Sequence, residues 1–176
     1  AFKLKEKLKD REYVIDLHSC SQKCEIFGII TKPNKEKIEF AKKLGLKKIV
    51  IMLESFASGK ALIDFCKCGI SLEVGPHERD ENSKEAQKLI ENFLENKNYN
   101  EEIEIFEIFD LVKRKGNLNL VENFKKVKEG DLIMDGPDGI QQIAEFDFIP
   151  VLANESEYKN VFCLAARKVN LKDMKF

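Results

Sequence analysis

Chemistry is first concentrated at Asp16-Leu17-His18-Ser19. This segment follows Tyr13-Val14-Ile15, a short apolar run that reads as a buried strand. The chain has two histidines, His18 and His77. An imidazole at the mouth of a strand is placed to meet a metal or a substrate. Asp16 lies two residues earlier, and side chains alternate along a strand, so the two share a face. A carboxylate there can hold a ligating imidazole in one tautomer. A hydrogen-bonded histidine at a strand end is the simpler alternative, and the tetrapeptide does not choose between them.

Two further segments add to the first. Gly69-Ile70-Ser71-Leu72-Glu73-Val74-Gly75-Pro76 is a strand-like run with one carboxylate ahead of a Gly-Pro breaker. Pro150-Val151-Leu152-Ala153-Asn154-Glu155-Ser156-Glu157-Tyr158 lies near the C-terminus. In this order and spacing, the three segments resemble the aspartoacylase and succinylglutamate desuccinylase family, zinc-dependent hydrolases of N-acyl amino acids. The resemblance runs from Tyr13 to Lys168. It implies that His18 is a zinc ligand, that Asp16 supports it, and that Glu73 is the catalytic base. It also implies that Tyr158 contacts the substrate. The family's arginine for the substrate carboxylate has no counterpart, and Lys60 is the nearest cation. A lysine does not reproduce an arginine's two-pronged contact. Glu155 reads as a buried structural partner and His77 as a surface loop residue.

The family's upstream Gly-x-His-Gly-x-Glu motif, which supplies two more zinc ligands, does not occur here. Its Asp-Leu-Asn-Arg segment does not occur either. The chain therefore reads as the C-terminal portion of a larger enzyme, or as a short relative that lacks part of the site. Its start at Ala1-Phe2-Lys3, inside a helical pattern, favours the first reading.

Composition narrows the classes. Of 176 residues, 43% are hydrophobic and 35% charged, so a real core can form. Thirty basic against 31 acidic residues give a net charge of −1, which offers nucleic acid no basic face. No apolar run reaches the roughly 18 to 20 residues of a membrane helix. Five cysteines at irregular spacing do not look like a secreted disulfide framework. Reduced, buried thiols in a cytoplasm are the expectation. Nothing here is against a homo-oligomer.

The elements that must position these residues alternate between strand and helix. Phe2 to Leu8 reads as a helix tail, Tyr13 to Leu17 as a strand and Gly28 to Ile30 as another. Lys35 to Leu44 has one apolar face and Gly45 behind it. Ile49 to Leu53 reads as a strand, Lys60 to Cys68 as a helix capped by Ser58, and Ile70 to Val74 as a strand. Asn82 and Glu85 match a capping box ahead of an apolar stripe through Leu94. This alternation predicts an α/β fold with a mostly parallel sheet, part of a zinc-carboxypeptidase-like domain over residues 1–98. Beyond Asn100, short alternating runs and turn signals predict a small β-rich domain over 99–176, with Lys113-Arg114-Lys115 in a solvated loop. In a parallel sheet, ligands bind at strand carboxyl ends, where both His18 and Glu73 fall. The first functional reading is a zinc-dependent amidohydrolase acting on a small N-acyl amino acid. The second is an inactive module of the same fold, kept for binding or assembly.

Overall fold

The computed structural model describes residues 2–52, 61–97, 102–136 and 139–174. The chain runs α1 (Phe2–Leu8), β1 (Tyr13–Cys20), β2 (Phe27–Thr31), α2 (Lys35–Leu44), β3 (Lys48–Met52), β4 (Cys68–Pro76) and α3 (Asn82–Leu94). It continues as β5 (Glu104–Lys113), β6 (Leu118–Asn119), β7 (Leu132–Asp135), β8 (Gln142–Ile143), β9 (Ile149–Val151) and β10 (Val161–Val169). Leu62–Phe65 and Leu171–Asp173 are single 3₁₀ turns.

Seven strands form one sheet in the order β1-β4-β2-β3-β5-β10-β9, and β6-β7-β8 form a small antiparallel one. The large sheet is mixed rather than mostly parallel. β1 with β4, β2 with β3 and β3 with β5 are parallel, whereas β2 with β4, β5 with β10 and β10 with β9 are antiparallel. Connection length explains the reversal. A parallel crossover needs roughly a dozen residues, and the link between β1 and β2 is the short segment 21–26. The β-rich C-terminal half contributes both the small sheet and three strands of the large one.

Side-chain alternation divides the large sheet into two faces. Cys68, Ile70, Leu72 and Val74 of β4 pack with Ile38, Ala41 and Leu44 of α2 and with Ala86 and Leu89 of α3. Burying each such side chain contributes about 1.5–3 kcal/mol. Gly28 is a contact point here: a Cβ on it would lie 2.6 Å from Ile70 Cδ1 and 2.8 Å from Leu46 Cδ1. Asn34 caps α2 by accepting the Lys37 N–H at 2.9 Å, and Gly45 ends it in a left-handed conformation at φ 83°. The capping box expected at Asn82 and Glu85 does not form. Asn82 instead donates to the Pro76 carbonyl at 2.5 Å, and Glu85 accepts from Arg79 at 2.9 Å. Leu94 falls outside the stripe and is 74% exposed.

The opposite face of the sheet carries Phe27, Ile29, Val50, Phe106 and Ile108, with Leu152 packed on them. Asp16, Ser71 and Glu73 lie on this face. The segment expected as a helix over Lys60 to Cys68 holds a single 3₁₀ turn before β4 begins.

Candidate active site

β1 and β4 set the geometry by their register. In that parallel pair, Asp16 lies beside Ser71 and His18 beside Glu73. Register partners in a sheet point the same way, and so do residues two apart on one strand. The four side chains therefore form a two-by-two patch on the face away from the helices. They line a cavity of about 320 Å³ together with Ile29, Thr31, Met52, Ile63, Leu152 and Tyr158. Both His18 and Glu73 sit toward the carboxyl ends of their strands, where the alternating pattern places ligand contacts.

His18 Nε2 lies 3.0 Å from Asp16 Oδ2, and its side chain is half exposed. With Nε2 taken by the carboxylate, Nδ1 is the nitrogen left for other partners. Glu73 is buried. Burial pushes its carboxyl above the usual range, His18 and His77 pull it back, and Glu155 and Asp16 push it up again. Tyr158 is half-buried at the pocket. Burial, then the charges of Glu73 and Glu155, raise its hydroxyl pKa, so it stays a donor at neutral pH.

The segment that carries Tyr158 is pinned to the end of β1. Glu155 Oε2 accepts the Ser21 N–H at 2.7 Å and the Ser21 hydroxyl at 2.7 Å. The Ser156 N–H donates to Ser21 Oγ at 2.8 Å. Glu155 is thus the buried structural partner its sequence context suggests. Arg114, expected in a solvated loop, instead holds the same segment: it donates to the Asn154 side chain, to the Glu155 carbonyl at 3.4 Å and to the Val161 carbonyl at 3.5 Å.

Lys60 lies outside the described residues. His77 is away from the pocket lining, where its Nδ1 shares a 2.7 Å hydrogen bond with Ser19 Oγ. The cysteines also depart from expectation. Cys20 and Cys24 are joined in a disulfide, while Cys66, Cys68 and Cys163 are free. Cys20 Sγ lies 3.6 Å from Glu73 Oε2.

Among the described residues, no three His, Cys, Asp or Glu side chains converge as a metal site would require. A catalytic zinc takes three protein ligands. The pocket lining offers one imidazole, His18, so the described residues do not make a complete zinc site.

Solved structures match this architecture. Murine aminoacylase 3 superposes with a TM-score of 0.76 at 18% identity, covering 96% of this chain and 68% of the other. Succinylglutamate desuccinylase from Vibrio cholerae gives 0.68 at 14% identity, over 96% of this chain and 58% of its own. Succinylglutamate desuccinylase/aspartoacylase from Rhodobacter sphaeroides gives 0.63 at 10%, over 89% and 58%. The chain has the aminoacylase and desuccinylase fold. At these identities the likeness is one of fold, and the chain spans about two thirds of the aminoacylase and less of the desuccinylases. No family model matches the sequence, and no curated protein does. No helix among the described residues is long and apolar enough to cross a membrane.

Within this aminoacylase-like fold, sequence reasoning missed Thr31 and Ser71 in the pocket lining and Ser21 and Arg114 behind it. Ser71 had a signal, since it lies two residues before Glu73 and so shares its face. Ser21 and Arg114 had none, because their partners lie up to 134 and 47 residues away.

Proposed function

We propose that this chain carries the base-bearing part of the active site of a hydrolase that removes the acyl group from an N-acyl amino acid. One observation supports it above the others: Asp16, His18, Glu73 and Tyr158, drawn from three distant segments, line one pocket on the aminoacylase-like fold. Glu73 is desolvated, and burial raises its carboxyl above the usual range, which makes it a stronger base. It takes a proton from the attacking water and returns it to the departing amine. The Tyr158 hydroxyl donates to the carboxylate of the amino-acid substrate. Asp16 fixes the His18 ring through Nε2 and leaves Nδ1 to face the reacting groups.

In the family it resembles, His18 would be one ligand of a zinc ion, which polarises the acyl carbonyl and water. The described residues do not supply the remaining ligands that such an ion would need. A cytoplasmic location and a small anionic substrate belong to the same reading. Lys60 remains a proposed contact for the substrate carboxylate.

The test is hydrolysis of N-acetylaspartate and related N-acyl amino acids, with zinc supplied, by the wild-type chain and by Glu73→Gln. Turnover that disappears in the variant supports the reading. Turnover that survives the substitution overturns it. No turnover in either is what an incomplete zinc site alone would give, so binding then decides: saturable, Tyr158-dependent binding of the same compounds supports the substrate pocket, and no binding overturns it.

A further inference from the structure

The turn that leaves β1 is closed by the disulfide between Cys20 and Cys24. Cys20 is buried and touches the Glu73 carboxylate. Cys24 is partly exposed. Ser21 lies inside this short ring, and both of its donors go to Glu155 Oε2. The other carboxylate oxygen, Glu155 Oε1, is buried with no hydrogen-bond partner among the described residues. A buried carboxylate oxygen without a partner is costly, so the bonds from Ser21 hold Glu155 in place. Glu155 in turn accepts the Tyr158 N–H at its carbonyl, at 3.2 Å. A continuous path therefore runs from the sulfur bridge through Ser21 and Glu155 to the tyrosine at the pocket.

We propose that Cys20 and Cys24 form a thiol–disulfide switch that sets the Glu155–Tyr158 segment against the pocket. The ring spans a sequence separation of 4. Closing so short a loop constrains the unfolded chain least, so the bridge acts locally rather than as a global staple. In a reducing compartment, the disulfides that do form are mostly catalytic or redox-sensing. The reductant is a dithiol. Its thiolate attacks Cys24 Sγ, the accessible sulfur. The Cys20–Cys24 bond breaks, and Cys20 leaves as a thiolate that takes up a proton. The second thiol then attacks the mixed disulfide, releasing Cys24 and closing the reductant's own disulfide. Two electrons and two protons pass to the protein. The freed turn no longer holds Ser21 opposite Glu155, and the tyrosine segment loosens.

The switch rests on the proposed function only for the role of Tyr158. Its test needs no substrate, so failure of hydrolysis and failure of the switch are read separately. Hydrogen exchange by mass spectrometry is followed on the full chain when oxidised, when reduced with dithiothreitol and after reoxidation. Peptides holding Ser21, Ser156 and Tyr158 should exchange about tenfold faster on reduction, as expected when a hydrogen bond to a charged group is lost. Peptides from β5 and β10 should not change, and reoxidation should restore protection. Cys24→Ser should match the reduced form without reductant. If that variant does not fold, the reduction and reoxidation series decides. Three results overturn the proposal: alkylation of both cysteines without reductant, unchanged exchange at 152–158 on reduction, or loosening of β5 and β10 along with the pocket.

Discussion

Glu73 is seven per cent exposed and touches sulfur on one side and the pocket on the other. A desolvated carboxylate works against folding and for proton transfer. Under the proposed function, Glu73→Gln should lower kcat by on the order of a hundredfold to ten-thousandfold while the fold and any bound metal are retained. Steady-state kinetics with metal analysis checks both halves. Tyr158→Phe should instead raise KM for the acyl amino acid, with metal content unchanged. Lys37 gives a pH test away from the pocket. Its ammonium is buried, donates to the Thr31 carbonyl at 2.6 Å, and has its pKa lowered chiefly by burial. Between that lowered value and 10.5 the unfolded chain holds a proton that the folded chain has released, so stability rises with pH across this window. The Tm of wild type minus that of Lys37→Met should therefore grow as pH is raised from 7 to 10. A constant difference would rule the assignment out. Asp16 and His18 were legible as one face because alternation along a strand is a local rule, whereas Glu73 was joined to them through the resemblance and the placing of ligands at strand ends. Tyr158 was reached only through the resemblance, since nothing local marks a tyrosine that folds back from the far end of the chain.

At the scale of elements, a Cβ on Gly28 of β2 would meet the methyl ends of Ile70 and Leu46 at 2.6 and 2.8 Å. Gly28→Ala should cost about 1–3 kcal/mol through overpacking against Ile70 and Leu46, measured as a lower urea midpoint. An unchanged midpoint would mean the neighbours yield freely. The strands and α2 were readable from apolar runs and from the Asn34 and Gly45 signals. The direction of β2 was not read, although the brevity of segment 21–26 contained it: six residues cannot carry a parallel crossover. The Asn82 box failed for a different reason. Its two side chains found tertiary partners in Pro76 and Arg79, and a capping motif is a local preference that such contacts override.

Across the whole molecule, the described residues bring one imidazole, His18, to the pocket where a catalytic zinc needs three ligands. The protein should therefore hold substoichiometric zinc after dialysis, measured by atomic emission. Tight one-to-one binding would mean that residues other than His18 complete a zinc site. The long strands of the C-terminal half were read only as short ones. β5 and β10 pair over most of their lengths, and that pairing is a non-local property that turn signals do not report.

The pocket brings the edge strand β1 and the segment that follows β9 together over the middle of the sheet, and this has a consequence for how the protein forms. β1 is held along one side by β4, with Cys20 and Glu73 separated by 53 residues, and Ser21 meets Glu155 across 134. Contacts between residues so far apart form after loop-closure entropy has been overcome, so they come late. The helix-covered layer of β2, β3, α2 and β4 uses shorter-range contacts and is able to consolidate first. An ensemble caught midway would have native-like helices and a dry core on one side of the sheet but no pocket on the other. In a refolding experiment, binding competence should trail secondary structure, and the interval between the two signals would time the docking of the two chain ends.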